Sequence, residues 1–221
     1  MDRGSINSLF LNAVKTEAML FGTHARLSDA DFAGVTFKGR PIKRVFEFKY
    51  LGIFDEHISW NSHGKYVLSR AGKRLGMLGR IRGNLTSDCA NSIYTAYIHP
   101  IMDYCDTVWN CCGVGNSLSL QRLERRASKI VSKMNDSDRA LDYLKWPSLV
   151  NRRESHVNEL VKRCIKGHCP QFFENYFTFN SSVHNRITTE MNMLHLSRVR
   201  TDLAKNSFNY NGSVIFNRLN F

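Results

Sequence analysis

The chain changes from strand-like to helical sequence within one stretch, Lys49-Tyr50-Leu51-Gly52-Ile53-Phe54-Asp55-Glu56-His57-Ile58-Ser59-Trp60. Its first half is short and apolar and contains a glycine, a pattern that favours a strand ending in a turn. The tryptophan at its end precedes a basic segment with helical periodicity. The stretch therefore predicts a strand, a turn and a Trp-anchored entry into a long basic helix.

Upstream of this stretch, the sequence favours strands and turns. Residues 45–54 alternate in part between polar and aromatic side chains, the period of a half-exposed strand. Residues 35–42 place Gly39 between two short apolar runs. That pattern predicts a hairpin or tight loop with Gly39 at its tip.

From Ser62 the apolar period becomes helical. The predicted core face of this helix consists of Leu68, Ala71, Leu75, Leu78 and Leu85. A separate stripe consists of Gly72, Gly76, Gly79 and Gly83. Each interior glycine costs a helix about 1 kcal/mol relative to alanine. The stripe therefore indicates close approach of another backbone, and the alternative is a weak or broken helix.

The rest of the chain favours further helices. One is predicted over 87–103, with an apolar side at Ile93, Tyr97 and Ile98 and a bend at Pro100. The next begins near Ser117 or Ser119, and others follow over 139–146 and 147–166, where Gly167 is the stop signal. The tail, 180–221, is weakly periodic.

These patterns predict an α+β fold that is mostly α. The predicted regions are 1–60 with a small hairpin or sheet, 61–179 with helices, and 180–221 as a weakly structured tail.

Composition favours an intracellular protein with a polyanionic partner. The chain has 31 Lys and Arg against 19 Asp and Glu, a formal charge of +12. Basic clusters bind phosphates by releasing condensed counterions, although a merely soluble basic protein is the alternative. The six cysteines do not form a disulfide framework, which indicates a reducing compartment, nuclear or cytoplasmic. No signal peptide or membrane span is predicted.

Two groups of cysteines contain the residue types of a metal site. One joins His99 with Cys105, Cys111 and Cys112, and the other is Cys164, His168 and Cys169. Neither has the paired C-x₂-C spacing of zinc modules, so reduced thiols are the preferred interpretation.

Six blocks of the sequence resemble, in order, the reverse transcriptases of non-LTR (LINE-type, jockey/CR1-like) retrotransposons. They include N..KTE..xFG at 12–23, KYLG…D…SW at 49–60 and P.LDYC..VW at 98–109. The remaining blocks lie at 120–127, 144–153 and 208–217. The last block departs from the family pattern, since Phe216 replaces a tryptophan and Asn220 stands where a proline often follows.

The resemblance implies the end of a polymerase palm, then a thumb-like helical region and a C-terminal region. Reverse transcription needs carboxylates that hold two divalent metals, in this family within an (F/Y)ADD turn that precedes the KTE block. Asp2 is the only acid before Asn12, and Asp29-Ala30-Asp31 is interpreted as a solvated turn. We therefore expect a chain without the catalytic palm, inactive alone and without a cofactor, with Mg²⁺ only in a full-length enzyme.

The resemblance also assigns positions to template–primer contact. Lys15 matches the lysine that follows the catalytic hairpin, and Tyr50 and Gly52 match the primer grip beside Lys49. Basic helical faces would follow a nucleic-acid backbone, although solvated faces are the alternative. The predicted nucleic-acid-binding residues are Lys15, Lys49, Tyr50, Gly52, Arg70, Lys73, Arg74, Arg80, Arg122, Arg125, Arg126 and Lys129.

The leading hypothesis is a truncated RNA-directed DNA polymerase that retains binding to RNA, DNA or an RNA–DNA hybrid. The first alternative is a non-enzymatic basic helical module that binds a protein, such as a complementary polymerase fragment. The second is a fragment without function. Charge reversal at Arg70, Lys73, Arg74 and Arg80 separates the first two, because it would abolish nucleic-acid binding and largely spare apolar pairing.

Overall fold

The computed structural model describes residues 12, 15–29, 35–37, 39–49, 52–183 and 190–221. The chain divides into two compact units, Met1–Tyr66 and Val67–Phe221. Across the described residues the protein is mostly helical, and its two-stranded sheets lie near the N-terminus. The predicted α+β, mostly α class is confirmed at this level.

The described residues of the N-terminal unit form short strands and a short helix before the first long helix begins. Its elements are β1 (Glu17–Ala18), α1 (His24–Ser28), β2 (Thr36–Phe37), β3 (Arg40–Pro41), β4 (Lys43–Arg44), β5 (Glu47–Lys49) and β6 (Ile53–Asp55). β1 pairs with β4 in parallel, and β2–β3 and β5–β6 are antiparallel pairs. The β2–β3 pair is the predicted hairpin, and Gly39 at its tip has a φ of +73° that favours glycine.

The predicted single strand over 45–54 is instead part of a hairpin. β5 runs antiparallel to β6, with Glu47 opposite Asp55 and Lys49 opposite Ile53. Tyr50 and Leu51, between these strands, lie outside the described residues. Phe46 and Phe48 are 58% and 42% exposed, so the expected alternation of burial is absent from this part of the chain.

Asp55 organises the turn from β6 into the first long helix. Its carboxylate accepts hydrogen bonds from the backbone N–H groups of His57, Ser59 and Trp60 at 3.0–3.1 Å. Ile58 and Trp60 have left-handed φ values of 52° and 59°, and these bonds hold the chain in that conformation. Trp60 is 5% exposed, which confirms the predicted Trp-anchored entry into the helix.

Helices form the rest of the described chain. They are α2 (Asn61–Ile81), α3 (Ser87–Ile93), α4 (His99–Asp103), α5 (Asp106–Trp109), α6 (Val114–Ser132), α7 (Ser137–Leu144), α8 (Leu149–Ile165), α9 (Asn180–Val183), α10 (Asp202–Lys205) and α11 (Phe208–Asn220). None of the helices in the described ranges is long and apolar enough to cross a membrane. α6 begins after Gly113, earlier than the predicted caps Ser117 and Ser119.

A π-helical turn, Tyr94–Ile98, joins α3 to α4. It ends two residues before Pro100, which has no N–H to donate and would crowd the carbonyl four residues earlier in a regular α-helix. The extra residue in the turn changes which side chains face inward. Tyr94 is therefore buried and Tyr97 is 51% exposed, so the prediction that Tyr97 lies on the apolar side was wrong.

The C-terminal residues are better structured than the sequence predicted. α11 packs on α8 around a buried cluster of Val157, Val161, Leu194, Ile215 and Phe216. The side-chain amide of Asn217 accepts a hydrogen bond from the Leu194 N–H and donates one to the Leu194 carbonyl, at 2.8 and 2.9 Å. The many Asn and Ser residues obscured the helical period because several of them bind backbone groups instead of facing solvent.

Candidate nucleic-acid interface

Helix α2 presents the predicted cations to solvent. Ala71 and Leu75 are fully buried and Leu78 is 2% exposed, which confirms these three members of the predicted core face. Leu68 and Leu85 are only half-buried, and Leu85 lies beyond the end of the helix. Arg70, Lys73 and Arg80 are exposed, as expected for side chains on the opposite part of a helix with 3.6 residues per turn. The arrangement places three cations along one outer stripe.

Arg74 belongs to a different environment from the other three. Its guanidinium lies 3.8 Å from the centre of the Tyr97 ring, and Nη1 donates a hydrogen bond to the Tyr97 carbonyl at 2.6 Å. This contact fixes the π-helical turn against α2 by a cation–π interaction. Arg74 therefore stabilises the fold, and its substitution would disturb more than a surface charge.

Two glycines of α2 face α6, whereas nothing lies within 4 Å of a Cβ added at Gly76. A Cβ at Gly72 would lie 4.0 Å from Leu123 Cδ1, and one at Gly79 would lie 3.7 Å from Ile130 Cδ1. These are ordinary van der Waals distances to side chains, so the predicted close approach of another backbone is absent at these two glycines. α2 continues unbroken through Gly72, Gly76 and Gly79 to Ile81, whereas Gly83 lies in the 3₁₀ turn that follows the helix.

Helix α6 carries a second row of exposed cations. Arg122, Arg126 and Lys129 are exposed and lie at positions i, i+4 and i+7, the spacing of one helical face. Arg125 is also exposed, and its guanidinium lies 3.3 Å from the Asp138 carboxylate. An exposed ion pair of this kind is weak, so Arg125 still contributes positive charge at this surface.

The two rows share one outer side of the C-terminal unit. The contacts of Gly72 and Gly79 with Leu123 and Ile130 place α6 beside α2. Core residues of both helices, Leu75 and Leu120 among them, are fully buried on the side away from the cations. The cations of both helices therefore flank a common seam. We call this surface the α2–α6 basic face, formed by Arg70, Lys73, Arg80, Arg122, Arg125, Arg126 and Lys129.

Arg82 joins the two helices at this seam, and its role was not predicted from the sequence. The side chain is 5% exposed, and Nη2 donates to the Val131 carbonyl at 2.7 Å and to Ser87 Oγ at 2.9 Å. Nε donates to the Ile130 carbonyl at 2.9 Å. Arg82 thus satisfies carbonyls in the last turn of α6 and joins that helix to α2 and α3. Nothing in the local sequence distinguished Arg82 from the arginines of α2 that precede it.

The remaining predicted residues lie in the N-terminal unit. Lys15 is an exposed turn residue, and Lys49 Nζ lies 5.0 Å from the centre of the Tyr66 ring. Gly52 is half-buried beside the His63 ring, to which an added Cβ would be 3.7 Å distant. Tyr50 lies outside the described residues. The structure thus brings together the cations of α2 and α6, while Lys49 and Gly52 belong to the β5–β6 hairpin.

A buried charge cluster fixes α8 against α4 and α6. Arg152 Nη1 donates to Glu124 Oε1 at 2.7 Å, and Arg152 Nε lies 3.1 Å from each carboxylate oxygen of Asp103. Glu124 also accepts the Leu149 N–H at 3.0 Å. Burial acts to lower the pKa of Arg152, but Glu124 and Asp103 raise it above its ordinary value. The cluster fixes the face of α6 that carries Glu124, so the face that carries Arg122, Arg126 and Lys129 is left toward solvent.

His99 borders this cluster in its neutral form at pH 7. Burial and the nearby Arg152 lower the pKa of His99, and Asp103 opposes them. His99 Nε2 lies 3.2 Å from Asp103 Oδ2, without the geometry of a hydrogen bond. The ring instead stacks on Tyr94, which stacks in turn on Trp146 with ring centres 4.1 Å apart.

A second His–Asp contact lies where α5 meets α8. His156 Nδ1 is 2.7 Å from Asp106 Oδ2, and the guanidinium of Arg153 lies 4.0 Å from the centre of the buried Trp109 ring. Burial raises the pKa of Asp106, and His156 opposes that shift. We interpret these contacts as structural, because they interlock helices.

No group of three His, Cys, Asp or Glu side chains that could hold a metal ion is found among the described residues. Asp29 is exposed and accepts a hydrogen bond from Ser28 Oγ at 3.2 Å, whereas Asp2 and Asp31 lie outside the described residues.

Comparisons with known protein families, with functionally characterised proteins and with solved structures found no match to this chain. The resemblance to LINE-type reverse transcriptases consequently depends on the six sequence blocks alone, and it stays a prediction.

Proposed function

We propose that this chain binds nucleic acid through the α2–α6 basic face, as the thumb-like and C-terminal part of a LINE-type reverse transcriptase. The observation that carries the proposal is the alignment of exposed cations from two neighbouring helices along one seam. The formal charge of +12 and the family order of the six sequence blocks support it.

The chemistry of the face fits a phosphate backbone. Arginine presents a planar fork of donors to phosphate oxygens, and lysine adds a mobile point charge. Arg122, Arg126 and Lys129 follow one helical line, so they can contact successive phosphates without reading base edges. The ligand class is therefore an extended RNA, DNA or RNA–DNA duplex, bound with little sequence preference. A polymerase's phosphoryl-transfer step needs metal-bound carboxylates, and no such step is assigned to these helices.

Fluorescence anisotropy of a labelled RNA–DNA hybrid tests the proposal. Binding should be measurable at about 50 mM salt and fall by about 10³-fold or more at 200 mM if six or more phosphates are contacted. Single-stranded RNA and duplex DNA of equal length serve as competitors and define the preferred form. No retention of any of the three at low salt would contradict the proposal.

A second candidate function, pairing with a protein, is favoured by the exposed aromatic residues Phe48 in β5 and Phe46 directly before it. Charge reversal at Arg70, Lys73 and Arg80 distinguishes the two functions, with Arg74 left intact because it contacts Tyr97. Loss of hybrid binding in this variant favours the nucleic-acid interface. Retained hybrid binding, together with protein association that is lost on replacing Phe46 and Phe48 by serine, favours the protein-binding module.

A further inference from the structure

Two cysteines meet where α8 ends. Cys164 lies in the last turn of α8, and Cys169 follows five residues later in the sequence. Their sulfur atoms are 3.4 Å apart, with both thiols reduced. A disulfide needs its sulfurs at about 2.05 Å, so a small local movement is enough to join them.

The helix end determines this proximity. The Gly167 N–H donates to the Cys164 carbonyl at 3.0 Å, and the His168 N–H donates to the Arg163 carbonyl at 2.9 Å. These two bonds form a Schellman motif, which needs a left-handed residue after the helix, and Gly167 supplies it with a φ of +70°. The motif turns the chain back on α8 and brings Cys169 over Cys164.

The pair is accessible on one side. A cavity of about 340 Å³ lies beside Cys164 and is also lined by Gly167, Phe173 and Phe177. Cys164 is 9% exposed, whereas Cys169 is only half-buried. A small oxidant can therefore reach the pair, and it meets Cys169 more readily than Cys164.

We propose that Cys164 and Cys169 form a reversible dithiol–disulfide site that reacts with small disulfides such as oxidised glutathione. The Cys169 thiolate attacks one sulfur of the oxidant, which releases one thiol and leaves a mixed disulfide on Cys169. Cys164 then loses its proton and attacks the Cys169 sulfur, which releases the second thiol. The oxidant's disulfide is reduced to two thiols, and the two cysteines are oxidised to one disulfide.

The order of attack follows from the environments of the two thiols. Burial and the neighbouring Cys169 thiol raise the pKa of Cys164 to about 12, so Cys164 is almost wholly protonated at pH 7. Cys164 therefore reacts second, as the resolving thiol, when the mixed disulfide has been placed beside it.

Mass spectrometry after stepwise oxidation with glutathione buffers tests the proposal. Trypsin cleaves after Arg163, Lys166 and Arg186, so the disulfide would link peptide 164–166 to peptide 167–186. The expected product is this linked pair, two hydrogens lighter than the sum of its reduced peptides. Exposed Cys89 and Cys105 in the same protein are the internal controls, and they should accumulate only glutathione adducts.

Two single variants test the roles of the thiols. Cys164→Ser should trap a glutathione adduct on Cys169. In Cys169→Ser, the adduct should form on Cys164 roughly tenfold or more slowly than it forms on Cys169 in Cys164→Ser. Phenylarsine oxide, which bridges paired thiols, should be retained at residues 164–169 of the unmodified protein and lost from both variants. Glutathione adducts that persist on Cys169 in the unmodified protein, or no linked peptide when Cys105 is fully modified, would overturn the proposal.

Discussion

Replacing Arg152 by methionine removes the cation at the centre of the buried charge cluster while it keeps an apolar stem of similar length. The Arg152 side chain is 9% exposed and that of Glu124 is 4% exposed, so their contact at 2.7 Å is shielded from water. Breaking a buried pair by removing one partner costs about 3–5 kcal/mol, because it leaves an uncompensated buried charge. Since whole domains are stable by only about 5–15 kcal/mol, this loss would be large.

Urea unfolding followed by circular dichroism measures this cost. We expect Arg152→Met to lower the free energy of unfolding by about 3–5 kcal/mol at pH 8. The matched control is Lys162→Met on the same helix, whose ion pair with Glu159 is exposed and should contribute at most about 1 kcal/mol.

Adding Glu124→Gln to Arg152→Met isolates the role of the stranded carboxylate. Glutamine can still accept the Leu149 N–H, now 3.0 Å from Glu124, and carries no charge. The double variant should therefore regain about 1–3 kcal/mol over Arg152→Met. A cost equal to that of Lys162→Met, or a deficit unchanged by Glu124→Gln, would refute the account of this cluster.

Three further predictions concern stability. Gly76→Ala should stabilise the protein by about 0.5–1 kcal/mol, because nothing lies within 4 Å of the added Cβ. Gly212→Ala should destabilise it by about 1–3 kcal/mol, because its Cβ would lie 3.0 Å from Val161. The urea midpoints of the two variants test these signs, and equal shifts would contradict the packing around α11. Burial lowers the folded-state pKa of His99 below its ordinary value of 6.5, so the unfolded state binds the proton first and stability should fall as pH drops below about 6.5. His99→Gln should therefore flatten the fall of the melting temperature with decreasing pH, and an unchanged profile would contradict this role of His99. Asp55→Ala removes the carboxylate that accepts hydrogen bonds from backbone N–H groups before α2, so it should cost about 1–2 kcal/mol, and Asp55→Asn should lose less. Hydrogen exchange at the start of α2 tests both, and unchanged protection in Asp55→Ala would argue against this role of Asp55.

The long helices were predictable because their apolar period is local. Ala71, Leu75 and Leu78 repeat at helical spacing, and nothing distant is needed to recognise them. The same periodicity placed Arg122, Arg126 and Lys129 on one exposed face. The periodicity did not separate Arg74 from the neighbouring surface cations, because Tyr97, which Arg74 contacts, lies 23 residues away in the sequence.

Other features depended on interactions that a local pattern does not contain. The π-helical turn before Pro100 shifts the helix by a residue, so Tyr94 is buried and Tyr97, predicted on the apolar side, is exposed. Glu124 and Arg152 are charged residue types that usually lie at the surface. Their burial depends on the ion pair between them, which joins positions 28 residues apart in the sequence. The folding of residues 190–221 depends on α8, because Leu194 and Phe216 pack with Val157 and Val161 of α8 into one core. Neither α8 nor residues 190–221 form this core alone.

The central claim, that the α2–α6 basic face binds a phosphate backbone, is tested most directly by the salt dependence of hybrid binding in two matched variants. One neutralises Arg122, Arg126 and Lys129 to glutamine, and the control neutralises Arg198, Arg200 and Lys205, which are also exposed and carry the same total charge. Each lost phosphate contact removes about 0.9 from the slope of log K against log salt, so the first variant should lose up to about 2.7 (three contacts at about 0.9). The control should keep the slope of the unmodified protein. Equal slopes and affinities in the two variants would contradict the claim, because binding would then follow net charge and not this face.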